Sequence, residues 1–399
     1  MRVPFYRPSI TEREIDEVVT CLRSGWLTTG PATRAFEEEF AAYVGAKHAV
    51  AVNSCTAALH LSLEALGVER GDLVLVPTMT FAATAEVVRY FDAIPVFVDC
   101  DATQCIDVEA ARRTLHQLAS GQRVFGVPAT HGPVRAIIPM HYAGQMADVH
   151  AVRALAIEHR IAVVEDAAHT LPAFTRAGAD GPWQSVGTTA DVTCFSFYAN
   201  KCITTGEGGM AVTNDTTTAE RMRLMSLHGM SKDAWKRFTA AGSWYYEVVA
   251  PGFKYNLTDI AAAMGRAQLA RADELWSARQ HLAAAYRRGL ADVPGLELPT
   301  EHPDRRHSWH LFSIRLDLGV WKQGRDAFIE HLKKRGVGSS VHWMPLHMQP
   351  YYRDTYGLRP DDFPVSAALW PRLVSLPLFP TMSTEDVAFV IDAIRSMSG

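Results

Sequence analysis

Between residues 49 and 213 the chain alternates short aliphatic runs with stretches of helical periodicity, and no other feature narrows its fold as much. The apolar runs at 49–52, 73–76, 96–98, 136–140, 161–165, 192–197 and 210–213 read as strands, the run at 161–165 being rich in β-branched residues. Between the earlier ones, 56–66, 82–90, 108–115 and 149–159 read as helices. Short buried strands joined by helices predict an α/β fold with a mostly parallel sheet covered on both faces. Two helices precede this pattern. Thr11 and Glu14 fit a capping box ahead of Ile15, Val18, Val19 and Leu22, and Gly25 is placed to stop the helix. The second runs through Phe36, Phe40 and Val44 and ends near Gly45.

The pattern changes after residue 255. Asn256-Leu257-Thr258-Asp259 opens a long helical stretch reaching roughly Leu290. A strand at 309–316, a helix at 325–335, a Pro-rich stretch at 345–380 and a closing helix at 384–397 follow. The reading is a large domain over 1–255 and a smaller α+β domain over 256–399. A formal net charge of -4 without a run of one sign argues against non-specific nucleic-acid binding and a basic membrane patch. No apolar stretch has the length of a membrane span or of a signal-peptide core. The six cysteines form no CxxC pair and no zinc-like spacing, so no metal site is expected. Reduced thiols and a cytoplasmic location are the expectation.

Ligands of parallel sheets bind beyond the carboxyl ends of the strands, and three segments fall there. In Asn53-Ser54-Cys55-Thr56-Ala57-Ala58, small residues open a helix whose first N–H groups suit a phosphate, although for this segment alone an ordinary N-cap by Ser54 or Thr56 is the better reading. Asp166 ends the strand at 161–165. A carboxylate there suits a bound pyridinium, whose charge it would stabilise, or a loop cap. Lys201 follows a buried strand and precedes Gly206, Gly208 and Gly209. A Schiff-base lysine must lose its proton, which demands a partly desolvated setting; a surface lysine before a glycine turn is the alternative. Ser196, five residues earlier, is placed to donate to a phosphate. The glycine run is neither GxGxxG nor a P-loop, which disfavours those modes of nucleotide binding.

Together these segments resemble the DegT/StrS-type sugar aminotransferases, enzymes of the pyridoxal-phosphate (PLP)-dependent transferase fold type I. The resemblance spans nearly the whole chain. It also includes Ser24-Gly25-Trp26-Leu27-Thr28-Thr29-Gly30-Pro31, Glu165-Asp166-Ala167-Ala168-His169, the segment from Pro251 to Asp259, and Ser375-Leu376-Pro377-Leu378. It implies that Lys201 forms the Schiff base and shuttles the proton, and that Asp166 partners the pyridine nitrogen. Thr56 and Ala57 would form the phosphate turn, with Ser196 a further phosphate contact. Phe81 would stack on the cofactor, and His169, where many members have Gln, would lie near its ring hydroxyl. Asn256 would reach the phosphate of a neighbouring subunit, implying a homodimer with shared sites. The implied reaction moves an amino group from an amino acid, expected to be L-glutamate, to a nucleotide-linked keto-sugar. The version at 252–259 leans toward amination at C4. Transamination of a cyclitol or other non-nucleotide keto substrate, and a non-catalytic PLP-binding regulator, are the competing readings. His310, His342 and His347 are candidates for substrate contact or for structure. Arg372 suits an anionic group or a surface ion pair. The aromatic segments at 183–187 and 235–246 suit the sugar site or subunit packing.

Overall fold

The chain is described from a computed structural model covering residues 1–230 and 246–398. Helix α1 (Glu12–Ser24) starts at the expected capping box, the Thr11 N–H donating to Glu14 Oε2 at 2.7 Å, and stops at Gly25 in the left-handed conformation. Its apolar stripe faces outward, with Ile15 and Leu22 exposed, while Glu14 and Cys21 are buried. Helix α2 (Pro31–Val44) follows. The alternation then unfolds as β1 (His48–Val52), α3 (Cys55–Ala65), β2 (Leu73–Pro77), α4 (Ala83–Arg89), β3 (Ile94–Val98), α5 (Val108–Ala119), β4 (Val134–Ile137), α6 (Val149–His159) and β5 (Ala162–Asp166). Short strands β6 (Phe174–Thr175) and β7 (Gln184–Ser185) precede β8 (Val192–Ser196), β9 (Gly209–Thr213) and α7 (Thr216–Met225).

Seven strands form the large sheet in the order β1-β9-β8-β5-β4-β2-β3. All neighbours are parallel except β9, which is antiparallel to both β1 and β8. The sheet is therefore mostly parallel, as expected. Strand β9 reverses because only the loop at 197–208 joins it to β8, too short for a crossover helix. Strand β1 lies at the sheet edge, where side chains satisfy its outer groups. Glu37 accepts the Ala51 N–H at 2.8 Å and Arg223 donates to the Ala49 carbonyl at 3.0 Å. That protects the edge from pairing with another strand.

Four phenylalanines tie α2 to β8. The rings of Phe36, Phe40, Phe195 and Phe197 lie 5.0–6.0 Å apart between centroids and are fully buried. Such aromatic pairs contribute about 1 kcal/mol each beyond the area they bury. They hold the carboxyl end of β8 rigid just ahead of Lys201.

The long helix expected from 257 to 290 is two helices, α8 (Asp259–Leu269) and α9 (Ala272–Leu290). The break lets Gln268 and Arg271 converge on Glu14 Oε1, each at 2.8 Å. A buried carboxylate thus decides a boundary that apolar periodicity runs straight through. A second sheet, β10 (Leu296–Glu297), β12 (Phe312–Leu316) and β13 (Leu373–Leu376), is antiparallel. β11 (Arg305–Arg306) instead pairs with β6. Helix α10 (Gly324–Lys334), α11 (Pro350–Tyr356), α12 (Pro364–Leu369) and α13 (Thr384–Ser398) complete the fold. A separate apolar core joins Leu282, Tyr286, Phe312, Phe328, Val390 and Val3 of the N-terminal arm. The six cysteines are free and buried. Among the described residues no helix is long and apolar enough to cross a membrane.

Candidate active site

The carboxyl ends of β1, β5, β8 and the start of β9 meet at one place. Ser196 pairs with Gly209 across β8 and β9, and Val52 pairs with Gly209 across β1 and β9. A Cβ on Gly209 would sit 2.4 Å from the Ser54 carbonyl carbon and 2.6 Å from the Cys55 nitrogen. The glycine run therefore serves close backbone approach, letting β9 pass against the start of α3. Ser54 is the N-cap of α3, accepting the Ala57 N–H at 3.1 Å. The first intrahelical bond runs from Ala58 to the Ser54 carbonyl. The N–H groups of Cys55 and Thr56 in the first turn thus have no acceptor within the helix, and the helix dipole favours an anion there. Ser196 lies across the same junction, its Oγ accepting the Tyr198 N–H at 3.3 Å.

Asp166 is the last residue of β5 and is 4 % exposed. Both its oxygens are anchored. Thr84 Oγ1 donates to Oδ2 at 2.8 Å, and the Ala168 N–H donates to Oδ1 at 3.1 Å. Thr80 shares a further hydroxyl contact with Thr84 at 2.7 Å. Burial raises the Asp166 carboxyl above its ordinary value, although Thr84, Ala168 and the nearby Lys201 charge pull the other way. The carboxylate is held in place yet undercompensated, the condition in which a cation brought to it is stabilised.

Lys201 sits in the turn after β8, its N–H bonded to the Tyr198 carbonyl at 2.9 Å. Desolvation lowers its ammonium from 10.5 to about 8, with Asp166 opposing the shift. Its amine is thereby brought within reach of neutrality at physiological pH. His169 is buried, and burial followed by the Lys201 charge holds its imidazole well below the ordinary value. Its Nδ1 accepts the Ala143 N–H at 3.3 Å, so the neutral ring carries its proton on Nε2 and is a donor there.

Aromatic rings line one side of this site. His169 lies 4.2 Å from His310 and 4.9 Å from Trp343 between ring centroids, and Trp343 lies 6.4 Å from Phe81. Phe81 is 59 % exposed, a ring face open to a planar ligand. The N-terminal arm closes another side, with the Tyr6 hydroxyl donating to the Ala199 carbonyl. Arg279, fully buried, donates to the carbonyls of Trp309, His310 and Leu378 at 2.9–3.3 Å.

Lys201, Asp166, His169, Ser196 and the start of α3 at Thr56 and Ala57 lie at this one end of the sheet, with the Ala57 N–H already taken by the Ser54 cap. Asn256 lies nearby, bridged to Val52, with its side chain bonded to Thr29 at 2.6 Å and to Lys254. Burial holds the His310 and His342 imidazoles below their ordinary value, and the nearby Lys201 charge lowers both further. His347 instead ties loops together through Thr78 Oγ1 at 2.6 Å and packs on Phe363. Arg372 is engaged by Glu297 and the Leu316 carbonyl, which is the ion-pair alternative. The guanidiniums of Arg176 and Arg306 each lie over the Trp183 ring. Most of the 235–246 segment lies outside the described residues. Thr84, Thr80, Trp343 and Tyr6 were not legible as site residues. The one available signal was the spacing of Thr80 and Thr84, four apart at the mouth of β2.

An amine for an aldehyde, a counter-charge for a protonated pyridine and a turn for a phosphate are the three needs of PLP, and the residues present fit all three. Fold and site together define a PLP-dependent aminotransferase of fold type I. The sequence matches the DegT/DnrJ/EryC1/StrS aminotransferase family over residues 8–395, and the chain belongs to that family. It is 42 % identical over 396 residues to the spore coat polysaccharide biosynthesis protein SpsC of Bacillus subtilis, covering 99 % of this chain and 97 % of SpsC. Its structure is similar to that of a Streptococcus pneumoniae protein assigned as a sugar aminotransferase, Spr1654, in its PMP form. That match has a TM-score of 0.88 and 31 % identity, covering 99 % of both chains. It is also similar to Helicobacter pylori PseC, an aminotransferase involved in the biosynthesis of pseudoaminic acid, with a TM-score of 0.84, 27 % identity and coverage of 99 % and 98 %.

Proposed function

We propose that this aminotransferase moves an amino group from L-glutamate to C4 of a nucleotide-linked keto-sugar in the cytoplasm, as a homodimer with shared sites. The observation that carries the catalytic part is Lys201, with its ammonium lowered to about 8 beside the anchored Asp166. PLP, when bound, supplies the electron sink for the pair released at Cα. Asp166 would stabilise a positive charge on the ring nitrogen, and Thr84 and the Ala168 N–H keep that carboxylate aimed. His169, with its proton on Nε2, would donate to the ring hydroxyl. The first turn of α3 at Thr56 and Ala57, with Ser196, would hold the phosphate, and Phe81 would cover the ring face. Lys201 Nζ takes the proton from Cα of the donor and, in the reverse half-reaction, delivers a proton to the sugar carbon that becomes the amine carbon.

The sugar assignment is supported by the similarity to SpsC and PseC, and the C4 assignment by the 252–259 segment. The dimer is supported by the outward apolar residues Ile15, Leu22, Leu27, Val248 and Val249, and by Asn256 beside the phosphate end of the sheet. Six free thiols support a reducing compartment. In the same reading the cofactor-binding domain runs over 1–255 and the smaller domain over 256–399. The test is to incubate the yellow PLP form with glutamate, confirm conversion to pyridoxamine phosphate, then offer keto-sugars with and without a nucleotide and read the product by mass. Amination of the nucleotide-linked set alone is expected. A product only from free cyclitols would replace the substrate assignment, and no conversion with any amino donor would favour a binding protein.

A further inference from the structure

Directly behind Asp166 lies a buried polar pair that the reaction does not use. Glu165 precedes Asp166 on β5, and successive side chains of a strand face opposite ways, so Glu165 points to the far side of the sheet. It is fully buried, as is His141. Glu165 accepts the Thr189 hydroxyl at 2.6 Å and the Thr193 hydroxyl at 2.9 Å, and His141 Nε2 lies 3.5 Å from its Oε2. His141 Nδ1 accepts the Ala147 N–H at 3.2 Å, so its ring proton is on Nε2 and faces the carboxylate. The adjacent His141, 3.5 Å away without a formed hydrogen bond, and the two threonine hydroxyls hold the Glu165 carboxyl below its ordinary value against the cost of burial.

The backbone of the same two residues is bound to the site. The His141 N–H donates to the Asp166 carbonyl at 3.1 Å, and the Asp166 N–H donates to the Pro139 carbonyl at 2.9 Å. Two residues beyond His141, the Ala143 N–H is the group that sets the His169 tautomer. The contact between His141 and Glu165 thus joins the end of β5, which carries Asp166, to the turn at 142–144, whose Ala143 N–H holds the His169 ring.

We infer that His141 and Glu165 are positioning residues, a buried clamp that fixes Asp166 and His169 in register from the side of the sheet opposite the cofactor. The inference rests on the reading of Asp166 given above. Without the His141 donor, the Glu165 carboxylate stays buried with less compensation, and the strand end moves to relieve it.

The experiment is a double-mutant cycle on PLP affinity, titrated by the visible absorbance of apo-protein, with His141→Ala and Thr84→Val made singly and together. His141→Ala is expected to weaken PLP binding about tenfold, as loss of outer supports does at ligand sites, and to shift the absorbance band of the bound cofactor. Because both substitutions act through the Asp166 carboxylate, the double variant should bind PLP little worse than the weaker single. Equal costs in both backgrounds would mean general loosening and overturn the inference, as would wild-type affinity and spectrum in His141→Ala. Should that variant fail to fold, His141→Leu, which fills much of the ring's space without a donor, carries the same cycle. Asp166→Asn is the control. If it binds PLP as the wild type does, the Asp166 reading falls; if it is impaired while His141→Ala is not, only the clamp falls.

Discussion

The ammonium of Lys201 offers the most direct test, because its depression has one dominant cause. An ordinary lysine titrates at 10.5, whereas desolvation brings Lys201 to about 8. At about pH 7.4 the neutral fraction rises from roughly 0.1 % to roughly 20 %, about a 250-fold gain in the amine that attacks an aldehyde. The rate of imine formation between apo-protein and added PLP, followed by stopped-flow absorbance across pH, should therefore level off above an inflection near 8. Asp166 raises the Lys201 value, so Asp166→Asn should move that inflection lower, and Lys201→Ala should abolish the colour. The same shift enters stability. The unfolded lysine holds its proton up to about 10.5 while the folded one releases it near 8. Between those values the unfolded state binds more protons, so apo-protein stability gains about 3 kcal/mol as pH rises through this window. Below about 8 the full penalty is present. Lys201→Ala should accordingly be more stable than wild type at neutral pH in the apo form. An inflection near 10 in the rate profile would show a solvated amine and refute the reasoning.

Three further outcomes follow from the geometry. Thr84→Val removes the hydroxyl bonded at 2.8 Å to Asp166 Oδ2. With a hydrogen bond to a charged group contributing about 1.5–3 kcal/mol, PLP affinity should fall roughly ten- to hundredfold while Thr84→Ser stays near wild type, read by the same titration. Gly209→Ala places a Cβ 2.4 Å from the Ser54 carbonyl carbon, so α3 must retreat. Affinity for PLP should drop far more than affinity for pyridoxal, which lacks the phosphate. Asp259 is buried and accepts the N–H groups of Gly30, Ala32 and Thr33 and the Thr33 hydroxyl at 2.6–3.0 Å. Asp259→Ala strands those donors, and urea unfolding should show a loss of about 3 kcal/mol.

How much could be read in advance differs from residue to residue. Lys201, Asp166 and the start of α3 were legible because each ends a strand, follows one or opens a helix, and strand ends are marked by local pattern. The reversal of β9 was not visible, since its apolar run looks the same in either direction. The break at residues 270–271 was hidden for the opposite reason: periodicity continues through it, and Glu14, distant in sequence, imposes it. Arg372 presented a fork that suits an anion, and only packing showed Glu297 already in it.

The sequence by itself determined the alternation of strands and helices, and with it the sheet, the end of the sheet where ligands are expected and the lysine placed there. Local patterns carry that information because hydrophobic period and turn residues act over a few positions. Tertiary structure decided the electrostatics. Lys201 is an ordinary lysine until burial removes its water, and Asp166 is an ordinary loop carboxylate until Thr84 and Ala168 hold both its oxygens. Desolvation and anchoring depend on groups brought together across the sheet, and no local pattern encodes them.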